Sequence, residues 1–192
     1  MHMADAWGRL TGQPGIALVT AGPGFANALS ALYVAKMAES PMVLLSGHAP
    51  TNQLGRGAFQ EMAQSDMALP VTKASWTVED ATQIGSSIIM AMALAKSGRP
   101  GPVQVSLPVD LLEAQVEDDG SSHQIADEGP DALISKKDAA DALELLLGSR
   151  RPLVLAGPAL ARGRGRHLAN SFAEKSGVPV VAMESPRGIN DP

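Results

Sequence analysis

The 192-residue sequence has no cysteine, which excludes a disulfide framework, thiolate catalysis and cysteine-ligated metal sites. Aromatic residues make up only 3% of the chain, so aliphatic side chains and methionine must fill the core. No apolar run approaches the length that spans a bilayer, and the first residues carry no secretory signal pattern. These absences predict a soluble, cytoplasmic protein without a membrane partner.

Positive charge is scarce as well. The formal net charge is −5, and no block of Lys and Arg is long enough to follow a phosphate backbone, so we expect no nucleic-acid partner. Hydrophobic residues, in contrast, make up 45% of the chain, which is enough for a sizeable core.

The chain is organised around an apolar run from Gly15 to Val19 that continues through Thr20-Ala21-Gly22-Pro23-Gly24 into a helical pattern. A short apolar run bounded by Gly and Pro is typical of a buried parallel strand. Gly22 and Gly24 allow a tight turn, and we expect Asn27 in the first turn of the helix. Open α/β sheets bind ligands at such carboxyl ends of strands. Two interpretations remain open here, a small-molecule site and a purely structural corner.

Known nucleotide-binding motifs do not fit this corner. A dinucleotide-binding Gly-x-Gly-x-x-Gly would need glycine at the position of Asn27, and a P-loop would need Gly-Lys followed by Ser or Thr. The second predicted strand also lacks an acidic residue at its end. A Rossmann-type nucleotide binder is therefore the weaker alternative.

Strand and helix patterns alternate, which predicts an α/β fold with a parallel sheet flanked by helices. Predicted strands cover 15–19, 41–46, 71–76 and 102–107. Predicted helices cover 1–12 and 25–37, a short helix opens at Phe59 and Gln60, and a long helix runs from a capping box at 77–80 to about Lys96. The loop 47–57 is long, and long loops in compact domains are often functional. His48 lies in it, just past the predicted strand end.

The composition changes near Glu113, where a stretch rich in Asp, Gly and Ser without periodicity begins. We predict a linker over 113–134 and a second α/β domain over 135–192, whose first helix is capped by Ser135. Two strands and two helices cannot cover both faces of a parallel sheet, so we expect this domain to be incomplete. The basic tract 162–166 is either an anion site at a helix start or a solvated loop.

Several sequence blocks, taken in order, resemble thiamine diphosphate-dependent enzymes of the acetolactate synthase type. These blocks are residues 20–27, 41–47 and 57–61, Lys73, and residues 97–102 with the strand that ends at Pro108. The resemblance implies that residues 1–112 are the N-terminal pyrimidine-binding domain, without its first strand and helix. It also implies that residues 135–192 are the beginning of the central domain.

The resemblance implies a function and partners. The function is that of a carboligase or decarboxylase that binds thiamine diphosphate and acts on 2-oxo acids, as a homodimer or homotetramer in its full-length form. An alternative within the family is a 2-hydroxyacyl-CoA lyase or oxalyl-CoA decarboxylase-like enzyme with an acyl-CoA substrate. An alternative of another class is a non-catalytic split subunit or interaction module.

Site residues follow from the same resemblance. The residues implied to contact the cofactor are Gly22, Pro23, Gly24, Asn27 and Gln60. The residues implied on the substrate side are His48, Phe59 and Lys73. Central domains of the family bind FAD or a nucleotide, which here points to Gly157 and the tract 162–166.

In the family, the glutamate that activates the cofactor precedes by a few residues the block that here reads Met3-Ala4-Asp5. The Mg²⁺ ligands of the family lie in a separate pyrophosphate domain. The resemblance therefore implies that this chain is truncated at both ends, contains no catalytic residue and no metal ligand, and is inactive by itself.

Overall fold

The computed structural model describes residues 1–117, 134–161 and 164–183. Contacts divide the chain into two units, Met1–Asp127 and Glu128–Pro192. Most of the predicted linker, residues 118–133, lies outside the described residues. Among the helices of the described ranges, none combines the length and the apolar character needed to cross a membrane.

The first unit is built on a four-stranded parallel sheet, which confirms the predicted fold class. The strands are β1 (Gly15–Val19), β2 (Met42–His48), β3 (Ala74–Thr77) and β4 (Pro102–Pro108), in the spatial order β1-β2-β4-β3. β4 is buried at every position, as expected for an inner strand that is covered on both faces.

Helices cover both faces of this sheet. They are α1 (His2–Thr11), α2 (Pro23–Met37), α3 (Gln64–Ala68), α4 (Ile84–Lys96) and α5 (Val109–Glu113). Because side chains alternate along a strand, β2 directs Val43 into the core under α4 and Leu44 into the core under α2. α4 contributes Ala91 and Ala95 to the first core, and α2 contributes Phe25 to the second. Full burial of a side chain such as Leu44 or Phe25 stabilises the fold by about 1.5–3 kcal/mol.

The predicted capping box at 77–80 is wrong in its details. Thr77 is the last residue of β3 and does not cap a helix. The carboxylate of Asp80 accepts a hydrogen bond of 2.8 Å from the backbone N–H of Thr82, and it thereby caps a 3-10 turn, Ala81–Gln83, that leads into α4. The long helix exists as predicted, but it begins later.

The predicted short helix at Phe59 and Gln60 is also wrong. Both residues lie in a turn, and α3 begins only at Gln64. Gln60 has φ of +60°, a left-handed conformation that a right-handed helix cannot contain. Phe59 and Gln60 are therefore loop residues.

The second unit contains a parallel pair of strands. Its elements are α6 (Lys136–Leu147), β5 (Val154–Ala156), α7 (Gly165–Ser176) and β6 (Val180–Ala182). The hydroxyl of Ser135 accepts a hydrogen bond from the backbone N–H of Asp138 and caps α6, as the sequence predicts. Ala156 and Ala169 pack together on one face of the strand pair.

Candidate functional site

The carboxyl ends of β1 and β2 lie side by side, because the two strands are parallel and paired through Val19 and Ser46. The turn that contains Gly22 follows β1, and β2 ends at His48. The connection from β2 to α3, residues 49–63, returns to the same edge, where Gln60 meets the first turn. The candidate site consists of this carboxyl edge.

Gly22 packs directly against Gln60. Gly22 has φ of +57° and ψ of −110°, a conformation that only glycine adopts readily. A Cβ at this position would lie 2.7 Å from the carbonyl oxygen of Gln60. Gln60 is itself left-handed, which costs a residue other than glycine roughly 1–2 kcal/mol. Strained backbone of this kind clusters at functional sites.

The turn after β1 is closed by its own side chains. A Cβ at Gly24 would lie 2.5 Å from the methyl carbon of Thr20, so this second glycine is also required by space. The hydroxyl of Thr20 donates to the side-chain oxygen of Gln60 at 3.4 Å. The turn and the loop are thus joined by backbone packing and by a side-chain contact.

Three of the predicted site residues face outward. Pro23 and Asn27 are exposed, and Phe59 is 87% exposed. The predicted place of Asn27 in the first helical turn is wrong, because α2 begins at Pro23, a residue type favoured at the start of a helix. Asn27 therefore lies in the second turn.

Gln64 lies beneath this surface, 1% exposed. Its Oε1 accepts the backbone N–H of Gly22 at 2.8 Å. Its Nε2 lies 3.0 Å from Ser46 Oγ, 3.0 Å from the carbonyl oxygen of Gly47 and 3.1 Å from Ser106 Oγ. No motif in the sequence points to this residue.

A second glutamine extends the buried polar cluster across the sheet. Gln104 on β4 is fully buried, and its Nε2 donates to Ser46 Oγ and Ser106 Oγ, both at 2.9 Å. Its Oε1 accepts from Ser75 Oγ on β3 at 2.5 Å. Buried polar residues need hydrogen-bond partners. The presence of Ser46, Gln104 and Ser106 in otherwise apolar strands therefore indicates that another polar group lies nearby.

The loop over the site is held by carboxylates at both ends. Asp110 accepts a hydrogen bond of 3.0 Å from the backbone N–H of Thr51. Glu61 accepts the backbone N–H of Gly55 and, at 2.9 Å, that of Ala58. Both hydrogen bonds lower the pKa of Glu61, and the one from Gly55 has the larger effect. Glu61 therefore serves the loop as a charged acceptor.

His48 is 8% exposed, and its Nδ1 accepts the backbone N–H of Ala49 at 2.8 Å. Burial lowers the pKa of His48 below the ordinary 6.5, against the opposing charge of Glu61 and a hydrogen bond to the backbone of Met62. The ring is therefore neutral at neutral pH and carries its proton on Nε2. His48 also lines an open cavity of about 550 Å³, together with Glu61 and Gln64.

The structure separates Lys73 from the other predicted residues. β3 begins at Ala74, so Lys73 precedes the strand and lies at the amino edge of the sheet, where its N–H donates to the carbonyl of Pro102 at 2.8 Å. Its Nζ donates to the carbonyl oxygens of Leu94 and Ser97, both at 2.5 Å. The ammonium group of Lys73, predicted on the substrate side, thus binds the carboxyl end of α4.

The described residues contain no group of three His, Cys, Asp or Glu side chains that could hold a metal ion. In the second unit, Gly157 has open space where a Cβ would lie. Arg162 and Gly163 of the predicted anion tract lie outside the described residues, whereas Arg164 and Arg166 lie at the start of α7.

Fold and site together define an α/β domain whose candidate site lies at the carboxyl ends of its parallel strands, the edge at which open α/β sheets bind ligands. Residues 1–67 match the family model described as Thiamine pyrophosphate enzyme, N-terminal TPP binding domain. The chain is 33% identical over 194 residues to the acetolactate synthase large subunit of Parasynechococcus marenigrum, which covers 99% of this chain and 31% of that protein.

Two further relatives are similar to the same extent. The acetolactate synthase large subunit of Buchnera aphidicola subsp. Acyrthosiphon pisum is 35% identical over 188 residues, covering 94% of this chain and 32% of that protein. The oxalyl-CoA decarboxylase of Escherichia coli K12 is 32% identical over 193 residues, covering 98% and 34%. The chain thus spans about a third of the length of these curated relatives.

These matches confirm the predicted resemblance to thiamine diphosphate-dependent enzymes of the acetolactate synthase type. They do not separate the two substrate classes, because an acetolactate synthase and an oxalyl-CoA decarboxylase match at nearly equal identity.

Proposed function

We propose that the carboxyl edge of the first unit holds the aminopyrimidine end of thiamine diphosphate in an acetolactate synthase-like enzyme. The observation that carries this proposal is the contact between Gly22 and Gln60, two residues with positive φ from separate segments at the carboxyl edge of the sheet. The family match over residues 1–67 supports it independently.

The residues at this edge fit one end of the cofactor. Beside the Gly22 turn, the amides of Asn27 and Gln60 offer both donors and acceptors, and the exposed ring of Phe59 offers an apolar face. The described residues contain no group of three side chains that could hold a metal ion, and the Mg²⁺ ligands of the resembling family lie in a separate pyrophosphate domain. We therefore assign the pyrimidine end alone to this chain and place the Mg²⁺ ligands elsewhere in the active enzyme.

Thiamine diphosphate, when bound, supplies the electron sink for breaking or forming a bond at a carbonyl carbon. The residues of this chain would contribute binding and orientation. We assign no catalytic residue to it, because Glu61, which lines the cavity, uses its carboxylate to hold loop amides, and His48 is neutral and bonded to the backbone.

For the whole enzyme, we propose a cytoplasmic carboligase or decarboxylase that acts on 2-oxo acids as a homodimer or homotetramer. FAD or a nucleotide in the second unit, near Gly157, belongs to the same proposal. A decarboxylase with an acyl-CoA substrate is the second candidate, favoured by the 32% identity to an oxalyl-CoA decarboxylase.

Calorimetry on the full chain tests the proposed binding with three ligands: thiamine diphosphate with Mg²⁺, thiamine, and inorganic pyrophosphate. We expect the first two to bind with similar affinity and pyrophosphate not to bind, because the assigned contacts are to the ring. Binding of pyrophosphate alone, or of none of the three, would contradict the proposal. The matched control is Lys73→Met at the opposite edge, which should bind like the wild type.

A further inference from the structure

Gln64 occupies a position that neither the sequence motifs nor the proposed function uses. It is the first residue of α3 and 1% exposed, which is unusual for a neutral polar side chain of this size. Its hydrogen bonds join three separate parts of the chain: the turn after β1, the end of β2 and the end of β4.

The orientation of its amide group is determined by two partners. The backbone N–H of Gly22 can only donate, and the carbonyl of Gly47 can only accept. The side-chain oxygen of Gln64 must therefore face Gly22, and its nitrogen must face Gly47. Neither a carboxylate nor a reversed amide satisfies both partners, so the site specifies glutamine in one orientation.

The other partners of this amide are part of the rigid centre of the sheet. Ser46 and Ser106 lie opposite each other in the register of β2 and β4, and both are fully buried. Their hydroxyl oxygens also accept hydrogen bonds from the side-chain nitrogen of Gln104. Gln64 therefore links the backbone of Gly22 to the two central strands through hydrogen bonds.

Resting on the proposed function, we propose that Gln64 is a positioning residue, which holds the Gly22 turn in the conformation that receives the aminopyrimidine ring. Glycine can adopt several conformations, and Gly22 lies next to Gln60, whose left-handed backbone is strained, so the turn needs support from outside to hold this one conformation. The hydrogen bond that Gly22 donates to Gln64 provides this support. Without it, a buried N–H would lack a partner, and the turn would shift to reach water.

The test compares Gln64→Met with Gln104→Met in the full 192-residue chain. Both variants remove one buried amide from the same cluster, but only the first removes the bond to Gly22. The readouts are hydrogen exchange at the Gly22 amide, measured by nuclear magnetic resonance, and the affinity for thiamine diphosphate with Mg²⁺. Exchange at core amides of β2 and β4 reports any general loosening.

In Gln64→Met we expect exchange at Gly22 to become about tenfold faster and the affinity to fall by about tenfold, the worth of one hydrogen bond. In Gln104→Met we expect both quantities to stay near those of the wild type. Unchanged exchange at Gly22 in Gln64→Met, or equal effects of the two substitutions, would overturn the positioning role. Faster exchange with unchanged affinity would overturn it as well.

Gln64→Glu serves if Gln64→Met does not fold. A carboxylate at this position still accepts the backbone N–H of Gly22 but cannot donate to the carbonyl of Gly47, so exchange at Gly22 should stay slow while the bond to Gly47 is lost. Fast exchange at Gly22 in this variant, with the core amides of β2 and β4 still protected, would contradict the proposal. If the wild-type chain binds no thiamine diphosphate, the proposed function fails, and exchange at Gly22 alone decides whether Gln64 holds the turn.

Discussion

Gly22 lies so close to Gln60 that a Cβ at position 22 would be 2.7 Å from the carbonyl oxygen of Gln60. Both residues have positive φ, 57° and 60°. The carboxyl edge of the sheet thus places two segments of left-handed backbone in direct contact.

Gly22→Ala should destabilise the protein by about 2 kcal/mol or more, because alanine would pay for the positive φ and also collide with Gln60. Urea denaturation measures the change in the free energy of unfolding. The matched control is Gly12→Ala, since Gly12 has φ of +69° but no atom within 4 Å of its added Cβ. It should cost only about 1 kcal/mol. Equal costs at the two positions would contradict the assigned contact.

Gln60→Gly should stabilise the fold by about 0.5 kcal/mol, because relief of the left-handed strain exceeds the entropy that glycine adds to the unfolded chain. The same change should weaken thiamine diphosphate binding, since the amide is lost. Gln53→Gly, in a 3-10 turn with ordinary backbone, should instead destabilise the fold by about 0.5–1 kcal/mol. A stabilised variant that binds thiamine diphosphate with wild-type affinity would show that the side chain of Gln60 does not contact the cofactor.

Glu61 should make stability depend on pH in the acid range. Its pKa in the folded state lies below the ordinary 4.5, so its contribution is present above that value and is lost as the pH falls through the folded pKa. Melting temperatures of the wild type and of Glu61→Gln should therefore differ at neutral pH and converge in acid. A difference that is constant with pH would show that the loop amides do not depend on this charge.

His48 should respond to the same substitution. Burial lowers the pKa of His48 below 6.5, so the stability contributed by its neutral form is present above 6.5 and is lost as the pH falls through the folded pKa. The charge of Glu61 opposes this shift, so Glu61→Gln should lower the pKa of His48 further. A titration of the ring protons by nuclear magnetic resonance measures this. A higher pKa in the variant would contradict the arrangement.

Lys73→Met should reduce stability by about 1 kcal/mol, because the carbonyl oxygens of Leu94 and Ser97 would lose their donor. Affinity for thiamine diphosphate should not change, since Lys73 lies at the amino edge of the sheet. Calorimetry with the same ligand and buffer as for the wild type is sufficient. Loss of affinity without loss of stability would contradict this expectation and support the predicted place of Lys73 on the substrate side.

The fold was largely predictable from local patterns. The predicted burial of the run 15–19 is wrong, because β1 lies at the edge of the sheet and exposes Ile16 and Leu18. Apolar runs bounded by Gly and Pro nevertheless predict the strands β1, β2 and β4, because these signals are local in the sequence. Ser135 was identifiable as a helix cap for a similar reason, since its partner, the N–H of Asp138, is three residues away.

The candidate site depends on contacts that local patterns do not contain. Gln64 meets Gly22 across 42 residues of sequence, and only the three-dimensional fold brings them together. The left-handed backbone of Gln60 was also unpredictable, because glutamine has no preference for that conformation and the surrounding packing imposes it. Lys73 was misplaced because the start of β3 was predicted three residues early, which put the lysine inside the strand instead of before it.

The central claim, that the carboxyl edge holds an aminopyrimidine ring, is tested most directly by titrating the ¹⁵N-labelled chain with thiamine and following its amide signals. We predict shifts confined to the segments around Gly22, Asn27 and Gln60. The amide signals of Lys73 and Val103, on the opposite edge, should not change. Shifts at the amino edge, or no shifts while the chain remains folded, would contradict the claim.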